Sequence, residues 1–131
     1  MKKIILKLII VLMTMTSFAQ VEKNENVTSQ NSLSAAKYRL FSTQNMWTFI
    51  KLNTRNGRMW QVQYDVKDSN RFETYLNILS LVDSEEEADD RFTLYPTQNI
   101  YNFILLDQLD GRVWQVQWST KAEQRVIIPI E

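Results

Sequence analysis

Two stretches of this chain alternate between large apolar residues and amides: Trp60-Gln61-Val62-Gln63-Tyr64 and, 54 positions later, Trp114-Gln115-Val116-Gln117-Trp118. A period of two is that of a half-buried strand. It places Trp60, Val62 and Tyr64 on one face and the glutamines on the other, and likewise in the later stretch. Just upstream both phases are apolar, with Ile50 and Leu52 in one and Trp47 and Phe49 in the other. The later stretch repeats this with Ile104 and Leu106 against Tyr101 and Phe103. Strands apolar on both sides belong inside a sheet or beneath a second layer. The pattern predicts four strands at 37–41, 47–53, 58–64 and 71–78, and four more at 91–95, 101–107, 112–118 and 125–130. All are rich in the aromatic and β-branched residues that strands favour.

The two halves are copies. Residues 37–65 align with 91–119 without a gap, and thirteen of the 29 pairs are identical. The register continues to Lys67/Lys121 and Arg71/Arg125. The fold is therefore a duplicated unit. Between the copies, residues 79–90 lose strand character, and Ser84 to Glu87 fit a capping box opening a short acidic helix or turn. The chain's two glycines, Gly57 and Gly111, occupy one repeat position between the second and third strands. That position calls for a type I turn closed by a left-handed residue. The acids around it lack the spacing of a calcium loop, so no metal is expected. The linker acids read as a solvated segment rather than a cation site.

Two units neither close a propeller ring nor reach the three repeats a solenoid needs. The hairpin from Leu106 to Trp114 resembles the aspartate–glycine–tryptophan hairpins of propeller blades. A 54-residue offset, however, exceeds the usual blade period of roughly 40–50 residues. The expectation is an all-β domain in which the copies bury their aromatic faces against each other across a pseudo-twofold axis. That gives one eight-stranded, mostly antiparallel sandwich or small barrel, with Trp60 and Trp114 at the junction. A domain-swapped or oligomeric propeller stays open.

The N-terminus changes the charge and the address. Lys2, Lys3 and Lys7, the apolar run from Leu8 to Met13, and Ser17-Phe18-Ala19 form a signal-peptide pattern over residues 1–19. The apolar run falls short of the roughly 20 residues of a bilayer span. The expected product is exported, periplasmic or secreted, without a stable membrane anchor. Residues 20–36 read as a flexible polar leader, and 37–131 as a single β domain of repeats 37–78 and 91–131 joined by linker 79–90. Removing three lysines leaves 12 basic and 15 acidic residues, so nucleic acid is not an expected partner. With no cysteine in the chain, the domain relies on its core alone.

The run from Tyr95 through Asp107, followed by Gly111-Arg-Val-Trp-Gln-Val-Gln-Trp118, resembles small exported Bacteroides-type proteins that carry this tandem TQN…GRxWQVQ unit. The resemblance covers essentially all of 37–131. It implies a two-copy exported domain and no mechanism, since the family has no established activity. The first copy departs from the pattern at Ser42, where the second has Pro96.

The chain also lacks histidine. This excludes a serine–histidine triad, a cysteine nucleophile and the usual zinc sites. A carboxylate-pair hydrolase is the surviving enzymatic alternative. The leading reading is a non-enzymatic binding module, without cofactor, for a protein, peptide or glycan. Its alternative is a structural or inhibitor-like part of an envelope assembly. A residue needed for folding must appear in both copies, whereas a binding residue need appear only once. The paired Thr43-Gln44-Asn45 and Thr97-Gln98-Asn99 therefore read as turn formers. The unequal pairs Trp47/Tyr101, Thr48/Asn102, Lys51/Leu105 and Tyr64/Trp118 are the functional candidates, joined by the glutamine face of Gln61, Gln63, Gln115 and Gln117.

Overall fold

The computed structural model describes residues 36–131, which fall within one compact unit. The expected signal peptide and nearly all of the leader lie outside the described residues. The eight strands are β1 (Tyr38–Ser42), β2 (Thr48–Asn53), β3 (Met59–Gln63), β4 (Phe72–Asn77), β5 (Phe92–Pro96), β6 (Asn102–Asp107), β7 (Val113–Gln117) and β8 (Val126–Ile130). They form two separate four-stranded antiparallel sheets in sequential order, β1-β2-β3-β4 and β5-β6-β7-β8. The eight predicted strands are all present, and the result is a sandwich, not a barrel. In each copy a 3₁₀ turn, Asp68–Asn70 or Ala122–Gln124, precedes the fourth strand.

The hairpin turns follow the glycine rule. Gly57 and Gly111 have φ of 78° and 82°, and their amides donate to the Asn53 and Asp107 carbonyls. In both turns the side chain of the first residue accepts the amide two residues on, Arg55 N–H to Asn53 Oδ1 and Leu109 N–H to Asp107 Oδ1.

Strand register decides which residues share a face. Rows Leu40–Lys51–Trp60–Tyr75 and Phe41–Ile50–Gln61–Thr74 lie on opposite faces of the first sheet. The equivalent rows of the second sheet are Leu94–Leu105–Trp114–Pro129 and Tyr95–Ile104–Gln115–Ile128. Burial then corrects the expected face-to-face packing. In the second copy the tryptophan face is core: Phe92, Leu94, Phe103, Leu105, Trp114 and Val116 are buried. In the first copy the glutamine face is core: Thr48, Ile50, Leu52, Met59 and Gln61 are buried, while Trp60 and Val62 are only partly so. The copies thus stack facing the same way, the glutamine face of one against the tryptophan face of the next. No pseudo-twofold relates them.

The linker imposes this. Leu81 N–H donates to Asn56 O, and Phe92 N–H donates to Thr54 O, which starts β5 beside the end of β2. Asp90, left-handed at φ 59°, receives Arg39 Nε and a terminal guanidinium nitrogen on one carboxylate oxygen at 2.9 and 2.7 Å. Arg55 reaches Asp89 at 2.9 Å and Glu87 at 3.4 Å, and Asn56 Nδ2 donates to Glu87 at 2.9 Å. Three of the linker acids expected to be solvated are therefore the clamp that ties the second copy to the first hairpin. The capping interaction begins one residue earlier than expected, with Asp83 N–H donating to Glu86 across the 3₁₀ turn Ser84–Glu86.

Candidate functional site

Four sheet faces with one stack leave two faces uncovered among the described residues. On the first sheet this is the tryptophan face, where six aromatic rings gather on neighbouring strands. Tyr38 and Tyr75 flank Trp60, with ring centroids 6.2 and 5.9 Å away. Tyr64 sits between Trp47 at 5.3 Å and Phe49 at 6.0 Å. Lys51, at the centre of the face on β2, places Nζ 4.6 Å from the Trp60 ring centroid and pairs with Glu73 on β4. Ammonium over an indole face is a favourable cation–π contact. The surface is aromatic, ridged and nearly neutral. Four of the six matching residues of the second copy, Phe92, Phe103, Trp114 and Trp118, lie inside: Tyr64 is 44% exposed where Trp118 is 1%.

The expected site residues divide. Trp47 and Lys51 lie on this open face, together with Trp60; the register pairs Lys51 with Trp60, so Trp47 and Trp60 share one face rather than opposing ones. Tyr101, exposed beside Trp118 at 5.2 Å, marks the rim of the buried second-copy face. Thr48 and Gln61 are buried between the sheets and have no surface to offer. Among the described residues neither amide atom of Gln61 finds a partner. Gln63 and Gln117 donate to the Asn70 and Gln124 carbonyls, each holding its copy's 3₁₀ turn against β3 or β7. Asn102 and Gln115 lie on the second uncovered face, where Gln115 Nε2 donates to Asn102 Oδ1 at 3.3 Å. Tyr38, Leu40 and Tyr75 were not anticipated from sequence. The signal for them was Lys51 standing where the second copy has Leu105, because a lysine at mid-strand marks a face that is not sealed.

The two TQN turns do what their repetition implied. Thr43 Oγ1 bonds Asn45 O and Thr48 O, Asn45 Oδ1 accepts Trp47 N–H, and Thr97 and Asn99 repeat each bond. They flank a cleft of about 170 Å³, but these polar groups are committed to backbone.

The carboxylates are similarly occupied. Asp107, buried, accepts Arg91 Nε at 3.0 Å on both oxygens, and this bond raises the Arg91 pKa above its ordinary value. The Arg112 amide and guanidinium hold Asp110 below the usual carboxylate range. The Asn56 amide, ahead of Arg55, does the same for Glu87. Among the described residues no cluster of three or more acids is placed to hold a metal ion, and no helix is long and apolar enough to cross a membrane. No protein family, curated sequence or solved structure matches the chain.

Proposed function

We propose that the protein is an exported, non-enzymatic binding module that engages a protein, peptide or glycan through the tryptophan face of its first sheet. The observation that carries this reading is the contrast between copies: a face that is core in the second copy lies uncovered, among the described residues, in the first, where it carries six aromatic rings. A contiguous exposed patch of this kind on a small domain marks an interaction surface. Tyrosine and tryptophan supply large rigid contact area at such surfaces, with few rotatable bonds to immobilise. The absence of histidine and cysteine from the chain removes the common nucleophile and base constellations. Asp107, Asp110 and Glu87 are held by arginines or amides rather than paired across a cleft, which speaks against a hydrolase. The export reading rests on residues 1–19.

The four tryptophans provide the test. Trp47 and Trp60 lie on the open face, and Trp114 and Trp118 are buried. A panel of soluble oligosaccharides and extended peptides would be titrated against the purified protein, following acrylamide quenching of tryptophan emission. Expected is protection of the quenchable fraction by at least one probe, abolished in Tyr38→Ala and Trp60→Ala. Protection that survives both substitutions would remove the site from this face.

A further inference from the structure

We propose that the partner of this face is a second copy of the same chain, stacked head to tail so that the chains close into a ring of blades. The proposal rests on the binding surface argued above and names its occupant.

The template for the joint is already inside the molecule. On the first sheet's open face Leu40, Trp60 and Val62 stand at the repeat positions of Leu94, Trp114 and Val116, all three buried in the internal joint. On the second sheet's open face Ile104, Leu106 and Gln115 stand at the positions of Ile50, Leu52 and Gln61, all fully buried there. Each open face is thus the repeat of one half of a joint that the chain demonstrably makes, and the two halves are different. A joint between unlike faces is heterologous: it cannot saturate in a twofold dimer, and it propagates until a ring closes or a filament grows. Sheets of four antiparallel strands in sequential order, stacked back to front, are the blades of a propeller, and such rings typically hold four to eight of them. With two blades per chain, closure takes two, three or four chains.

Two differences between the copies bear on the external joint. Gln61, enclosed in the internal joint, has no partner for its amide, whereas Gln115 is bonded to Asn102. Asn102 replaces Thr48, so the outward glutamine carries its own partner into any interface that covers it. The ion pair Lys51–Glu73 on the other open face occupies the repeat positions of Leu105, buried in the core, and Ile127, partly buried against it. That pair keeps the face soluble while free and makes the external joint weaker than the internal one. The Gln115 face presents no charge along Asn102, Ile104 and Leu106 or Val113, Gln115 and Gln117, so nothing there repels the pair.

The experiment is size-exclusion chromatography with light scattering on the purified protein, at several concentrations. Two arginine substitutions each block one face at well-exposed positions, Leu40→Arg on the first sheet (62% exposed) and Ile128→Arg on the second (49% exposed). Melting curves check that both remain folded. Wild type should run as an assembly of two to four chains that dissociates on dilution. Each variant alone should be a monomer, and a mixture of the two should give a 1:1 dimer, because each retains the face the other lacks. A wild type monomeric throughout, an Ile128→Arg variant that still assembles, or a mixture that stays monomeric would each overturn the stacking. If either arginine unfolds the chain, Tyr75→Arg and Tyr95→Arg offer the same arms on the same faces. A monomeric wild type whose tryptophans are still protected by an added probe would leave the binding face standing without its proposed partner, so the two readings fail separately.

Discussion

Trp60 and Trp114 hold one position in the repeat, and their alanine variants should not cost the same. Trp114 is 6% exposed and packs on Phe92 at 6.1 Å within the core shared by the two sheets. A buried aromatic of this size removes about 150–250 Å² from water. At about 25 cal/mol per Å² that is roughly 4–6 kcal/mol of transfer free energy. Measured tryptophan-to-alanine losses run about 3–5 kcal/mol, so about 4 kcal/mol is expected for Trp114→Ala. A domain of this length holds on the order of 5–14 kcal/mol in total, and the variant would lose a large part of it. Trp60 is half-buried, against Tyr38 and Tyr75 and beneath the Lys51 ammonium. Losing roughly half the area predicts about 2–3 kcal/mol for Trp60→Ala. The assay is urea unfolding followed by far-ultraviolet circular dichroism, since both variants alter fluorescence. It should be run dilute enough that association adds nothing to stability. The midpoint should fall further for Trp114→Ala than for Trp60→Ala, with the slope unchanged. Equal losses, or a greater loss at Trp60, would mean that the copies do pack aromatic face to aromatic face.

The two glycines should also separate: alanine at either is strained by positive φ, at about 1–2 kcal/mol. Gly57→Ala should melt lower than Gly111→Ala, because its new Cβ would meet Leu81 Cδ1 at 2.7 Å where Gly111 faces open space. Gln61→Met keeps the shape and removes two unpaired buried atoms, so it should raise the melting temperature, with a gain of about 1–3 kcal/mol. Glu87 titrates below its ordinary 4.5 when folded, so its stabilisation is complete above that value and is lost as pH falls through the lower folded value. The melting temperature of Glu87→Gln should therefore trail wild type at neutral pH and converge with it in acid. Lys51→Leu combined with Glu73→Ile makes the open face match its buried repeat, and the assembly should then survive about tenfold greater dilution in light scattering.

Much of the fold was legible because its signals are local. Alternation located β3 and β7, glycine placed the hairpins, and repetition identified the TQN turns as scaffold. The choice of faces was not local. In β2 and β6 both phases are apolar, so alternation says which residues travel together and not which set meets the other sheet. Ring size favoured joining the two tryptophan faces, while the covalent path of the linker dictated otherwise. Its role could have been found in the unequal pairs: Arg39 and Arg55, which hold Asp90 and Asp89, become Thr93 and Leu109 in the second copy. Charges that appear in one copy alone mark the one place where a linker docks. The same rule picked out Lys51 and Trp47 on the open face. It also picked out Thr48, where the unequal partner Asn102 reflects a difference between inner and outer glutamine faces.

Head-to-tail stacking also explains why the copies diverged where they did. Had the copies met across a twofold axis, the same face would be buried in both, and both would face the same constraint at every tryptophan-face position. In the observed stack, the positions at the centre of each face are sealed in one copy and more open in the other. The tryptophan face is free to carry Lys51, Glu73 and Tyr64 in the first copy, where water reaches it, and must carry Leu105, Ile127 and Trp118 in the second. The glutamine face reverses this, with Thr48 and Met59 sealed in the first copy and Asn102 and Val113 open in the second. Yet the open positions have not become polar throughout, as unconstrained surface would. Leu40, Trp60 and Val62 on one side and Ile104, Leu106 and Val113 on the other stay apolar, and a face that keeps its core residues while lacking a cover among the described residues has the character of an interaction surface, as the proposed stacking requires.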